Sequence, residues 1–401
     1  MKTFRYTGRN MEGVLKKGVI QADTQGKAIE LLRTKGINPR EILESNSIFH
    51  KNITLFESVK NQDFVIFCRQ FATLVRAGVS IVESTGILAA QTPSKLLKNS
   101  LFAVEADIRE GIPFSDAANK HKKVFPPLFV NMIRAGELTG SLDETLERLA
   151  AYYEKQFTLK KKVQSTMMYP AVLLVVIVIV VIGLMLTVVP QFATMFEDFG
   201  AELPAITLFV LALSDLIQQF WWLGLLLVIG LVVTFVYIYK NNSLFNYNVN
   251  LILLRVPVFG KLLQKSAIAR MTRTLSSLFS SSVPILQALT IVEKVVGNPV
   301  VGKVVLDSRT SLEQGGTLSE PLRKSWIFPP LVHQMTAIGE KTGSLDYMLE
   351  KIADFYEADV DRTVDTLKGL IEPLMIVILA GVVGMIVLSI MVPMFSLFEQ
   401  I

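Results

Sequence analysis

Three stretches of 19 residues, Ala171–Val189, Trp221–Tyr239 and Leu374–Val392, contain no charged side chain. Wound as α-helices, each is about 28 Å long, close to the ~30 Å hydrocarbon core of a bilayer. Val, Ile and Leu cover every face, which no soluble core helix requires, so the pattern predicts three membrane spans. Elsewhere the apolar positions follow a 3.6-residue period. Phe64, Phe67, Cys68, Phe71, Leu74 and Val75 fall at i, i+3, i+4 and i+7 spacing, one face of an amphipathic helix. The first 45 residues carry a different pattern. Phe4-Arg-Tyr, a turn through Asn10 and Gly13, and Val14–Ala22 predict a two-stranded hairpin. Thr24–Lys35 predicts a helix with Ala28, Leu31 and Leu32 inward, closed by Gly36. Asn46–Lys60 reads as a polar linker, flexible or membrane-associated. No apolar core follows Met1-Lys-Thr-Phe-Arg-Tyr, so no cleavable signal peptide is expected.

The chain repeats itself. Phe125–Glu154 reads FPPLFVNMIRAGELTGSLDETLERLAAYYE and residues 328–357 read FPPLVHQMTAIGEKTGSLDYMLEKIADFYE, with 17 of 30 positions identical. Upstream, Arg69–Val79 parallels Arg273–Val283, and Gly111-Ile-Pro-Phe-Ser parallels Gly315-Gly-Thr-Leu-Ser. Gly78 or Ser282 ends the first helix of its copy. Downstream, Tyr169-Pro170 corresponds to Glu372-Pro373, and Pro190-Gln-Phe to Pro393-Met-Phe, marking where each chain segment enters and leaves the membrane. Each copy is therefore a bundle of about six helices, 61–168 and 255–370, followed by a span at 171–189 or 374–392. The span at 221–239 belongs to neither copy and brings the chain back. Gly140-Ser141-Leu-Asp-Glu144 reads as a helix stop and restart: a glycine suited to a left-handed position, then a capping box. Gly343, Ser344 and Asp346 keep this arrangement, with Tyr347 in place of the glutamate.

Charge gives the sidedness. All 40 Lys and Arg fall in residues 1–170 and 240–373, against 30 acidic residues there, a net +10. The remaining regions hold only Glu197, Asp198, Glu202, Asp215 and Glu399, a net −5. The positive-inside bias places the N-terminus and both bundles in the cytoplasm, with 190–220 and the 393–401 tail outside. Leu203–Tyr239 contains only Asp215 and is too long for one span, about 55 Å as a helix. Residues 203–217 are expected as an interfacial helix on, or rising from, the outer face. Trp221 and Trp222 would anchor the second span outside, and Tyr237 and Tyr239 its inner end.

Composition excludes several chemistries. With 51% apolar and 19% charged residues and a net charge of +5, the chain is no nucleic-acid binder. One cysteine and three scattered histidines exclude a disulfide framework and a Cys/His zinc site. Gly339-Glu-Lys-Thr-Gly-Ser contains a Lys-Thr pair, but Glu340 stands where a phosphate-binding loop needs glycine, and the pattern around it is helical. Glu137/Asp143 and Glu340/Asp346 are duplicated carboxylate pairs. They could serve acid–base chemistry or a hard cation; dipole compensation at a helix start with surface salt links is the favoured reading. No catalytic, cofactor-binding or metal site is expected, and no enzyme. The spans carry no charge, which disfavours the alternative of a transporter or channel subunit. Gly183, Gly381 and Gly384 either allow close helix packing or face lipid.

These features resemble the inner-membrane platform proteins of type IV pilus assembly and type II secretion, the PilC/GspF family, over nearly the whole chain. The duplicated Phe-Pro-Pro and Gly-Glu-x-Thr-Gly-Ser-Leu-Asp blocks are its most specific marks. Lys162-Val163, Tyr169-Pro170, Val188-Val189-Pro190 and the Phe4-Arg-Tyr…Gly13…Gly36 unit also look like the family pattern, from which Thr166 departs. The resemblance implies an all-α polytopic membrane protein with two homologous cytoplasmic bundles, three transmembrane helices and a small N-terminal α+β module. It implies a homo-oligomer in the bacterial inner membrane that couples a cytoplasmic ATPase to extraction and polymerisation of pilin or pseudopilin subunits, beside other inner-membrane assembly proteins. Pilus, secretion and competence systems all fit. Gly136, Glu137, Gly140, Leu142 and Asp143, with Gly339, Glu340, Gly343, Leu345 and Asp346, match its most recognisable positions and either shape the bundle, the favoured reading, or contact a partner.

Overall fold

The computed structural model describes residues 2–10, 15–22, 24–34, 36–44, 58–198, 205–257 and 259–399. The hairpin turn at 11–14, most of the linker, and residues 199–204 and 400–401 lie outside these. The chain divides into two units at Ser58.

The small unit is a three-stranded antiparallel sheet carrying one helix. Strand β1 (Lys2–Asn10) lies between β2 (Leu15–Ala22) and β3 (Ile37–Glu44), and helix α1 (Gln25–Thr34) connects β2 to β3. The sequence pattern predicted the hairpin but not the third strand. Pro39 masked it, since a proline cannot donate to a ladder and is confined to edges and bulges. Here β3 is an edge strand, and the register slips where Thr7 faces Glu41 and Gly8 faces Pro39. Ala28 and Leu32, four apart, are buried, Ala28 against Phe4, whereas Leu31, expected inward, points outward and is 43% exposed. One turn of i, i+4 positions is all that this small sheet covers.

The large unit holds both copies. The first contains α2 (Asn61–Arg76), α3 (Ile81–Gln91), α4 (Lys95–Arg109), α5 (Phe114–Asn119), α6 (Pro127–Thr139) and α7 (Leu142–Asp198). After α8 (Ala205–Asn241) and α9 (Ser243–Arg255), the second contains α10 (Phe259–Ser280), α11 (Ile285–Val295), α12 (Pro299–Glu313), α13 (Ser319–Lys324), α14 (Pro330–Thr342) and α15 (Leu345–Glu399). Each bundle thus has six helices. Their buried side chains form one continuous apolar cluster running from Phe64 to Tyr356.

The last helix of each bundle and the following span are one helix: α7 is 57 residues long and α15 is 55. Pro170 and Pro190 lie inside α7, and neither ends it. Proline removes one backbone donor, but flanking turns keep theirs, and Thr166, one turn before Pro170, is buried with its hydroxyl on the Lys162 carbonyl at 2.8 Å. Helix α8 likewise runs unbroken from Ala205 through the apolar stretch to Asn241. Among the described residues, three helices are long and apolar enough to cross a membrane, and their apolar side chains face mostly outward. They touch at Met185, Val210 and Ile386, where the Ser214 hydroxyl donates to the Met185 carbonyl at 2.7 Å. This is an α-helical membrane protein. Helix α9 fastens the C-terminal end of α8: Asn250 Nδ2 donates to Tyr239 Oη at 3.0 Å, and Phe235 meets Phe245 edge-on.

Candidate functional site

The duplicated block folds as a helix corner, built twice with one geometry. In the first copy α6 stops at Gly140, which sits at φ 69°, and the Ser141 amide returns to the Gly136 carbonyl at 3.0 Å. In the second, Gly343 sits at φ 70° and the Ser344 amide returns to Gly339 at 3.1 Å. This left-handed closure satisfies helix-end carbonyls and is open to glycine at little cost. Gly136 and Gly339 serve a different need, close approach. A Cβ on Gly136 would lie 2.7 Å from Thr145 Oγ1, and one on Gly339 would lie 3.0 Å from the Leu345 backbone. Leu142 and Leu345, partly buried, pack against the shared core from the far side of the turn.

The carboxylates of each corner go separate ways. Glu137 turns back to α5, accepting the Ser115 amide on both oxygens at 3.3 Å. Glu340 does the same at α13, accepting the Leu318 amide at 2.5 Å and the Ser319 amide at 3.2 Å. Each glutamate thus supplies a remote cap to the start of a six-residue helix that has no side-chain cap of its own, where the positive end of the dipole favours it. Asp143 is exposed at the start of α7; Asp346 is half-buried, its carbonyl accepting the Ser276 hydroxyl at 3.0 Å. The Ser141 and Ser344 hydroxyls, assigned to capping boxes, instead pair with Thr139 and Thr342 at 2.7 and 2.6 Å. The Gly339–Ser344 segment is a helix end followed by a helix, not a phosphate loop after a strand. Among the described residues no group of three or more His, Cys, Asp or Glu could hold a metal ion.

A second duplicated feature escaped the sequence reading. Arg69 on α2 grips Glu154 on α7 through Nε at 2.6 Å and Nη2 at 2.5 Å, and reaches Glu147 with Nη1. Arg273 on α10 grips Glu357 on α15 in the same way, at 2.7 and 2.8 Å, and also bonds Asp354. These forks lock the first helix of each bundle to its last, and the hydrogen bonds it donates to Glu154 hold the Arg69 guanidinium well above its ordinary pKa. The signal was present: both members of each pair are identical in the two copies. Beside Arg69, burial pushes the Cys68 thiol up.

The two bundles meet along α7 and α15. Tyr152 Oη lies 3.1 Å from Thr274 Oγ1, Lys155 reaches Asp354 and Glu357 at 3.4 and 3.3 Å, and Lys162 reaches Asp361 at 2.9 Å. Leu159 and Val163 pack against Val360, Val364 and Leu367 just before the spans. Tyr169, Glu372 and Pro373 are exposed on these helices, Pro190 is half-buried, and Pro393 falls within α15.

This twin-bundle arrangement matches one family twice. The family described as type II secretion system (T2SS), protein F, matches residues 67–190 and again 271–393, and its N-terminal domain matches residues 1–43. The chain belongs to the type II secretion system protein F family. The type IV pilus assembly protein PilC of Thermus thermophilus is 39% identical over 401 residues, covering 99% of this chain and 98% of that protein. PilC of Myxococcus xanthus is 38% identical, covering 98% and 94%. The type II secretion system protein F of Pseudomonas aeruginosa is 32% identical, covering 99% of both.

Proposed function

We propose that this protein is an inner-membrane platform for a type IV pilus or a type II secretion pseudopilus, coupling a cytoplasmic ATPase to extraction and polymerisation of pilin-like subunits. The observation that carries this is continuity. Each bundle ends in a helix that becomes a membrane span without a loop, and the bundles share one core, so displacement of their surface reaches the bilayer through rigid backbone. Pilus assembly and secretion system relatives at 32–39% identity support the class of machine. The charge bias supports bundles in the cytoplasm and a C-terminus outside. The corner residues then act by shaping each bundle.

The test uses the full chain in nanodiscs. Expected is saturable binding of the secretion or pilus ATPase of the same cell, with loss of filament assembly or secretion when the protein is deleted. Unchanged assembly on deletion overturns the reading. Sidedness is read separately: Cys68 is buried, so a single Leu138→Cys at the 83% exposed corner reports one bundle. Labelling by an impermeant thiol reagent only after cell lysis is expected; labelling of intact spheroplasts overturns the topology.

A further inference from the structure

A cleft of about 500 Å³ opens between the two bundles, on the first copy's side, where α2, the Lys123 loop and α7 face Arg270 of α10. Three cations line it, Lys123, Lys160 and Arg270, together with Phe157. Among the described residues no carboxylate lines it, and none of the three cations makes an ion pair. Arg270 is held in place by the Val296 carbonyl, 3.4 Å away, and by Gly297, where a Cβ would lie 2.6 Å from the guanidinium. Gln156, also in the lining, has a buried side-chain nitrogen with no hydrogen-bond partner. An unpartnered buried amide is costly, and three unneutralised cations around one cleft repel one another.

The second copy supplies an internal control, because the cleft positions contributed by the first copy have counterparts there. Gln156 corresponds to Asp359, Lys160 to Thr363, Lys123 to Trp326 and Asn61 to Lys265. There the polar groups satisfy one another: Lys265 Nζ lies 2.8 Å from Asp359 Oδ2 and 3.0 Å from Thr363 Oγ1. Trp326 instead stacks under Arg255 at 5.9 Å. The second copy carries its own anion, and the first has cations in excess and an amide in its place.

We propose that the first-copy cleft binds an organic phosphate, whose phosphate group supplies beside Gln156 the negative charge that Asp359 supplies in the second copy. Lysines and a guanidinium provide charge and a planar fork for phosphate oxygens. The Gln156 amide supplies a further donor, and Phe157 an apolar wall. The volume suits a small ligand such as a nucleotide. Lys160 stands ten residues before Pro170, about 15 Å along the helix from the predicted membrane boundary, which favours a soluble phosphate over a lipid headgroup.

The test measures thermal stability and binding of the full chain in neutral detergent with pyrophosphate and with ADP. A second arm uses nanodiscs of phosphatidylcholine alone or with phosphatidylglycerol. Saturable stabilisation by ADP or pyrophosphate is expected, weakened at least tenfold by Lys123→Ala with Lys160→Ala, two exposed residues whose loss leaves the core intact. Gln156→Glu installs the missing carboxylate; it is expected to abolish binding and to raise the melting temperature of the ligand-free protein. Stabilisation by phosphatidylglycerol alone, lost in the same lysine variants, keeps the phosphate site and assigns it to lipid. No response to any probe, or a response unchanged by the lysine substitutions, overturns the proposal. ATPase binding unaffected by these variants leaves the platform function standing either way.

Discussion

The two bundles share a corner geometry to within a degree of φ, yet fill their cores differently. The first is built around Phe64, Phe67, Phe71, Phe114, Phe125 and Phe129, whose rings meet at centroid distances of 5.2–6.4 Å. At the matching positions the second has Ile268, Met271, Leu275, Leu318, Phe328 and Val332. The corner closures, the remote glutamate caps and the Arg–Glu fork are held constant, and the packing material is free to change. A bundle of this topology is therefore specified by its turns and clamps, while its core accepts apolar side chains of different shape and size.

Four substitution pairs break or sharpen that contrast, each read by thermal melting of the full chain in detergent. The largest effect is expected in the cores: Phe129→Ala should cost about 3–5 kcal/mol, against about 1.5–3 for Val332→Ala, because the larger side chain leaves the larger cavity. Equal losses would show that the second core cannot relax. The forks come next. Arg273 is 8% exposed and Arg69 36%, so Arg273→Met, which leaves the buried Glu357 with only Lys155 at 3.3 Å, should cost about 3 kcal/mol, whereas Arg69→Met is worth about 1 kcal/mol or less. A reversed order would deny that burial sets the strength of the clamp.

At the corners, Gly339→Ala should destabilise by about 1–3 kcal/mol and Gly136→Ala by less. The obstacle is backbone in the second copy and a rotatable threonine in the first. The smallest pair concerns the end of the first helix. Gly78 sits at φ 86° and its counterpart Ser282 at φ 57°, the one left-handed non-glycine among the described residues. Ser282→Gly should raise stability by about 1 kcal/mol and Gly78→Ser lower it by a similar amount.

Much of this was readable in the sequence because it is local. Gly140 and Gly343, the apolar face through Phe64 and Phe71, and the charge-free spans all follow from short-range spacing. What stayed hidden depends on contacts between distant residues. Glu137 looked like half of a carboxylate pair with Asp143, and only the fold brings it to the amide of Ser115. Arg69 and Glu154 lie 85 residues apart, and helical periodicity assigns faces, not partners. The strand at Ile37–Glu44 was obscured by Pro39, and α9 has too little amphipathic contrast to stand out beside the span it follows.

The unbroken run of α7 has a geometric consequence. At 57 residues it extends for about 85 Å, so a tilt of only ~5° at its bundle end sweeps the opposite tip through about 7 Å, more than one helical turn. Because α15 is almost as long and is bolted to α7 at Lys162–Asp361, the two far tips swing together. Small angular strokes at one surface of the membrane thus become displacements of molecular size at the other.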